Sequence, residues 1–310
     1  MEEVLEATAG ESTSSAMLGE HQFGMISTDS RQAGPGSLFV PLVGARHDGH
    51  DHVTSALAQG AAASLWSRPG EVPAQLAGAP LIRCHDTLQA LQGLGRYHLR
   101  QRVGCKVVAI TGSTGKTTTK DLIATLLSSR YRVKKTPGNY NNDVGVPLTL
   151  LQLEKDTQVA VLEIAMRGLG QIRRLAELIQ PDVGVITNIG LSHIELLGSR
   201  QAIAQAKGEL FECLASGSLG VSPRDSEFFE YLQGRQVSGD QLSFSGRMDS
   251  PADVRPISRQ QRGLEGWRLE FEPGVFWDFP LPGEHHVEDL AAACWVWTPR
   301  APARFCGTFA

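Results

Sequence analysis

Apolar positions follow two regimes along the chain. From residue 106 onward, short continuous apolar runs alternate with longer stretches of helical period. "KVVAI", "VAVLEI" and "DVGVITNI" are runs that suit strands buried on both faces, and "TTTKDLIATLLSSR", "GQIRRLAELIQ" and "SRQAIAQAKGELFECL" suit helices. Strand, loop and helix repeating in this order predict an α/β domain with a mostly parallel sheet covered on both sides. Before residue 104 the apolar runs "SLFVPLVG", "AAASLW" and "APLIRC" are separated by turn residues, and "DTLQALQGLGRYHLRQR" predicts a helix capped by Asp86. Past residue 241, "LSFS", "WRLEFE" and "VFWDFPL" predict antiparallel strands on the edge of the central sheet, and "VEDLAAA" opens a helix. "CWVWTPRAPARFCGTFA" has neither period. The expected division is therefore an N-terminal α/β domain over 1–103, a central domain over 104–293 and an irregular tail over 294–310.

Length agrees with two domains, since 310 residues exceed one ordinary core. Hydrophobic content of 41% and charged content of 20% are those of a globular chain. The formal net charge is −4 with no basic stripe, which argues against nucleic acid as the main partner. The five cysteines form no CxxC pair, so neither a structural zinc site nor a disulfide framework is expected. The acidic start "MEEVLEATAG" is unlike a signal peptide, and no stretch reaches the roughly 18 apolar residues of a membrane span. A cytoplasmic protein, monomeric and without a membrane span, is the expectation.

Candidate chemistry begins at "AITGSTGKTTTKDL". A strand ending at Ile110, a glycine-containing loop and a helix starting near Lys116 form the context that binds phosphate, because backbone N–H groups converge there and the helix start adds partial positive charge. Gly112 and Gly115 admit a close approach, while Ser113, Thr114 and Thr118 complete the cradle. Lys116 can reach the β- and γ-phosphates, and Thr117 can offer its hydroxyl to Mg²⁺. The loop is one residue shorter than the common form, with Ile110 where that form has glycine. Glu163 ends the strand "VAVLEI" and His193 follows "DVGVITNI", both at the carboxyl edge where open α/β sheets hold ligands. Position alone leaves Glu163 between a metal ligand and a turn cap. Taken alone, His193 reads as a solvated residue and Lys207 as a surface lysine.

The short loop T-G-x-x-G-K-T resembles that of the Mur ligase family and its relative folylpolyglutamate synthetase. "GNYNNDVGVPLTLL" (138–151), "EIAMRGLGQI" (163–172), "TNIGLSHIELLGS" (187–199) and "AKGEL" (206–210) follow in the family's order, and "STDSRQAGPGSLFVPLVGARHDGHDHV" (27–53) resembles its UDP-binding segment. The resemblance implies an N-terminal UDP-binding domain and a central P-loop ATPase domain. It implies an ATP-dependent ligase of peptidoglycan precursor synthesis, adding D-alanyl-D-alanine to UDP-N-acetylmuramoyl-tripeptide through an acyl phosphate. It also implies Mg²⁺, held by Thr117, Glu163 and His193, with Lys207 carbamylated so that its new carboxylate holds a second ion. An imidazole ligand hints that Mn²⁺ is tolerated. The resemblance brings Asn141 and Asn142, ahead of Asn139, near the γ-phosphate and the acyl acceptor. Ser30 and Arg31 would bond the uridine diphosphate. Asp48 and His50 would lie beside the uracil, or form only a turn.

Two departures from the family pattern change the expectation. The adenine-side motif G-x-H-N-x-x-N reads Gly283-Glu284-His285-His286-Val287-Glu288-Asp289. His286 can still donate to adenine, but an ionised Asp289 cannot reproduce an amide's donor. The family's third, Rossmann-like domain has no counterpart in these residues, so the chain is expected to bind substrates without completing the ligation. Alternatives are a binding module for the UDP-linked peptide or ATP, and another ligase of the superfamily, such as the third-residue-adding enzyme.

Overall fold

The structure, a computed structural model, describes residues 1–12, 22–236 and 238–297. It divides into two compact units. The first joins Met1–Arg102 to Asp143–Gln152, and the second joins Val103–Asn142 to the chain from Leu153 onward.

In the first unit five short strands form one sheet: β1 (Glu11–Ser12), β2 (Met25–Ser27), β3 (Ser37–Phe39), β4 (Ala63–Trp66) and β5 (Leu81–Arg83), in the order β1-β5-β4-β3-β2. All neighbours are parallel except β1 and β5. Side chains alternate across the sheet, as the period of two requires. Leu38, Val40, Leu65 and Ile82 pack with Ala90, Leu91 and Leu94 of the helix Thr87–Tyr97, while Phe39, Trp66 and Leu81 pack with Val53 and Ala56 of the helix Val53–Ala58. Asp86 caps the helix Thr87–Tyr97 as expected, its carboxylate accepting from the Gln89 N–H at 2.8 Å. Val144, Leu148 and Leu151 pack onto the first of these clusters, which is why the segment 143–152 belongs to this unit.

The second unit is built on six parallel strands: β6 (Lys106–Thr111), β7 (Val133–Lys135), β8 (Val159–Glu163), β9 (Val183–Ile186), β10 (Leu219–Pro223) and β11 (Asp240–Phe244). Their order is β11-β10-β9-β6-β8-β7. Strands β6, β8, β9 and β10 are almost wholly buried, which is what continuous apolar runs predict. One face packs on the helices Lys116–Ser128 and Glu284–Ala291 through Ile123, Leu127, Val287 and Leu290. On the other, Gly184 of β9 leaves room for Leu210 of the helix Arg200–Glu212.

Two expectations are corrected. The run "LSFS" lies in β11, which is parallel to β10 and not antiparallel. "WRLEFE" and "VFWDF" are β13 (Trp267–Glu272) and β14 (Val275–Phe279) of a separate antiparallel sheet, completed by β12 (Ser258–Gln261). Of the stretch read as an irregular tail, Cys294–Trp297 form a 3₁₀ turn with Cys294 and Trp295 in the core. Residues 298–310 lie outside the described residues.

Candidate active site

Strands β9, β6 and β8 are neighbours, so their carboxyl ends open on one edge, and the loops that follow them carry the candidate residues. After β6 comes the loop 112–115. Gly112 is pressed against β9: a Cβ there would lie 1.8 Å from Thr187 Oγ1. Gly115 has φ 76° and caps the helix Lys116–Ser128, and a Cβ on it would lie 2.2 Å from Asp289 Oδ1. Both positions therefore require glycine. The first helical bond runs from the Thr119 N–H to the Gly115 carbonyl, 2.8 Å. The N–H groups of Gly115, Lys116, Thr117 and Thr118 precede it and have no acceptor within the helix, which makes them an anion cradle. Lys116 Nζ folds back on the carbonyls of Gly112 (2.9 Å) and Ser113 (3.2 Å). Burial pushes its pKa down, against the pull of Glu163.

Three sequence-predicted residues meet at the end of β8. Thr117 Oγ1 donates to Glu163 Oε2 and Asn141 Nδ2 donates to Glu163 Oε1, each at 2.8 Å. Glu163 is buried, and its own N–H donates to Thr136 Oγ1 at 2.9 Å. A hydroxyl and a carboxylate side by side offer hard oxygens, which fits Mg²⁺. Among the described residues no three His, Cys, Asp or Glu side chains converge as a metal site. Mg²⁺ needs only one or two protein oxygens when phosphates and water supply the rest. Asn142 is exposed next to Asn141.

The rest of the edge holds Lys207, His193 and Arg167. Lys207 is only 2% exposed, so it is not a surface lysine. Burial, aided by Lys116, pushes its pKa down to about 7. Glu209 helps to seat its helix by accepting from the N–H groups of Gly170 (2.6 Å) and Arg173 (3.0 Å). His193 is held at φ 67°, in the left-handed region where non-glycine residues are uncommon. Burial lowers its pKa, with help from Lys207, Lys116 and Arg167. Arg167 thus joins Lys116 and Lys207 around His193, although its sequence context marks it only as a loop residue. Such a cluster stabilises gathered negative charge.

Asp289 and His286 share the helix Glu284–Ala291. Asp289 is buried, its Oδ2 lies 3.4 Å from His286 Nδ1, and burial pushes its pKa up.

In the first unit, Arg31 is 86% exposed and grips Asp29 with its guanidinium, Nη2 to Oδ2 at 2.7 Å. Ser30 opens the turn Ser30–Gln32. Asp48 and His50 are knit together. His50 Nε2 accepts from the Ser67 N–H (3.1 Å), so Nδ1 carries the proton and donates to Asp48 Oδ1 (2.6 Å). Asp48 Oδ2 takes a fork from Arg68, at 2.9 and 2.7 Å. Burial would raise the Asp48 pKa, yet the bonds from His50 and Arg68 hold it at about 2. These side chains serve the turn, whose Gly49 lies against Leu42, with no room for a Cβ. Both His50 nitrogens are engaged within this unit.

Residues 110–297 match the Mur ligase middle domain, and residues 22–98 match the catalytic domain of the Mur ligase family. A UDP-N-acetylmuramoyl-tripeptide–D-alanyl-D-alanine ligase of Bacillus subtilis is 38% identical over 86% of this chain and 57% of its own length. MurF from Acinetobacter baumannii superposes with a TM-score of 0.86 at 31% identity, covering 96% of this chain and 64% of that one. MurF from Thermotoga maritima in complex with ADP superposes with a TM-score of 0.77 at 28% identity, covering 90% of this chain and 64% of that one. The chain thus spans about three fifths of the length of these relatives. With both its units matched, the chain belongs to the Mur ligase family.

Proposed function

We propose that this chain supplies the ATP- and UDP-substrate-binding parts of a ligase that joins D-alanyl-D-alanine to UDP-N-acetylmuramoyl-tripeptide. The observation that carries the reading is the cradle of N–H groups at residues 115–118, with Lys116 above it and the Thr117–Glu163 pair beside it. A carboxylate is a poor electrophile, because oxide would have to leave. Its oxygen attacks the γ-phosphorus of ATP, ADP departs, and an acyl phosphate forms. The dipeptide amine then attacks the acyl carbon, phosphate leaves, and the amine gives up a proton. Negative charge gathers in both steps, which suits Lys116 and Arg167. Mg²⁺, when bound, would neutralise phosphate charge; Thr117 and Glu163 are the residues to hold it, with His193 and a carbamylated Lys207 for a second ion. Asn141 and Asn142 would orient the acyl acceptor, and His286 would meet the adenine. Ser30 and Arg31 would meet the uridine diphosphate. ATP and a nucleotide-linked substrate suit the cytoplasm, and we read the enzyme as a monomer of cell-wall precursor synthesis.

Calorimetry with ADP and Mg²⁺ tests the loop. Lys116→Ala should weaken binding at least tenfold, and unchanged affinity would remove the loop from the mechanism. Phosphate release that requires UDP-N-acetylmuramoyl-tripeptide tests the substrate.

A further inference from the structure

The segment after β9 binds the phosphate loop residue by residue. Asn188 accepts from the Ser113 N–H through its backbone carbonyl (3.1 Å) and from the Thr114 N–H through Oδ1 (3.0 Å). Its Nδ2 donates to the Thr114 carbonyl (3.2 Å) and to Thr114 Oγ1 (2.8 Å). Thr187 Oγ1 donates to the same carbonyl at 2.6 Å. The Gly190 N–H donates to Ser113 Oγ (2.8 Å), and Ser192 Oγ donates to the Ser113 carbonyl (3.1 Å). The backbone N–H and C=O of both central loop residues are therefore held by residues 187–192.

We propose that Asn188 is a positioning residue of the nucleotide site: its side-chain amide pins Thr114 to the end of β9 and thereby selects the N–H groups of residues 115–118 to face the phosphates. This rests on the nucleotide reading above. An N–H group can serve one strong acceptor. Those of Ser113 and Thr114 are turned to Asn188, so the open donors form one continuous set at the start of the helix. Only an amide fits here. Thr114 presents a donor and an acceptor side by side, and Asn answers with an acceptor and a donor on one planar group. An aspartate would set a second acceptor against the Thr114 carbonyl and add negative charge beside the phosphates. The strap also does the work of loop length. The common form carries one more residue, whereas here a neighbouring strand end fixes a shorter loop, and Gly112 lets Thr187 come close enough to do so.

The test measures ADP–Mg²⁺ affinity by calorimetry, thermal unfolding of the ligand-free protein and amide hydrogen exchange at Thr114. Asn188→Ala should bind 10- to 100-fold more weakly, as expected for several lost orienting bonds. The Thr114 amide should exchange faster, with the unfolding midpoint little changed. Asn188→Asp should bind more weakly still. Thr187→Val, which removes one bond and keeps the shape, should lose about 2- to 10-fold, and it decides the matter if Asn188→Ala does not fold. Binding within twofold of wild type in Asn188→Ala, where Lys116→Ala has lost it, overturns the strap and leaves the nucleotide reading intact. A wild-type chain that binds no ADP overturns both.

Discussion

At the scale of the residue, burial decides what Lys207 can do. A buried ammonium beside Lys116 is disfavoured, and the drop from 10.5 to about 7 means that much of the amine is neutral near neutral pH. A neutral amine adds to CO₂, losing a proton and gaining a carboxylate, which is the change a second metal ion would need. A ¹³C-bicarbonate NMR spectrum should show one carbamate carbonyl in the wild type and none in Lys207→Arg. The sign of the stability effect follows from the same shift. Between about pH 7 and 10.5 the unfolded chain binds a proton that the folded chain does not, so wild-type stability falls as pH drops through that window and levels off below it. Lys207→Met should therefore gain nothing above about pH 11 and on the order of 1–4 kcal/mol at pH 6 without CO₂, read by urea unfolding. A gain that does not vary with pH would show that Lys207 keeps its ordinary pKa. The sequence made Lys116 and Thr117 legible as candidates, because each stands at the start of a helix after a glycine loop, whereas Glu163 at its strand end needed the family resemblance. Asn188 was not legible, since its partner Thr114 is 74 residues away and only strand order joins them. His50 shows the same limit: its Nδ1 meets Asp48 two residues away, but its Nε2 accepts from Ser67 on a different segment.

At the scale of the element, apolar runs gave β6, β8 and β9 of the second unit, since a strand buried on both faces has no other way to look, and missed β7 and β10. Direction was lost at β11. A four-residue run carries no mark of parallel or antiparallel pairing. The crossover through the helix Phe229–Gln233 decides it, and that helix is too short to announce itself. Strand β12 was missed because "SRQQ" is polar throughout and exists only by pairing with β13. The helix Thr87–Tyr97 offers a test where two effects oppose. Gly93 lies inside it, and alanine there would raise helix propensity by up to about 1 kcal/mol. The same Cβ would fall 2.0 Å from the Ala7 carbonyl of the helix Glu2–Thr8. That contact is backbone, so one helix must move, at about 1–3 kcal/mol. The clash should win, and Gly93→Ala should lower stability by about 1–2 kcal/mol in chemical denaturation. A stabilised variant would mean that the two helices do not approach so closely.

At the scale of the whole molecule, charge and function separate. The chain carries −4 overall, yet at the carboxyl edge of the central sheet Lys116, Arg167 and Lys207 gather near His193. A local field of this kind draws a polyanion regardless of net charge. The two candidate ligands also divide by unit. Ser30 and Arg31 stand on the first unit with its own packed clusters, while residues 112–118, 141 and 163 stand on the second with another. A ligand that binds only the folded form stabilises what it touches, by about 2.7 kcal/mol at a hundred times its Kd. Hydrogen exchange read by mass spectrometry should then split the chain by ligand. ADP–Mg²⁺ should slow exchange in residues 110–119 and 187–193, and UDP-N-acetylmuramic acid should slow it around residues 27–53. Protection by the UDP ligand confined to the second unit would move the substrate off Ser30 and Arg31. Protection by ADP confined to the first unit would separate the loop from the nucleotide, leaving its open N–H groups without the anion that the sequence of the loop, its glycines and its strap all anticipate.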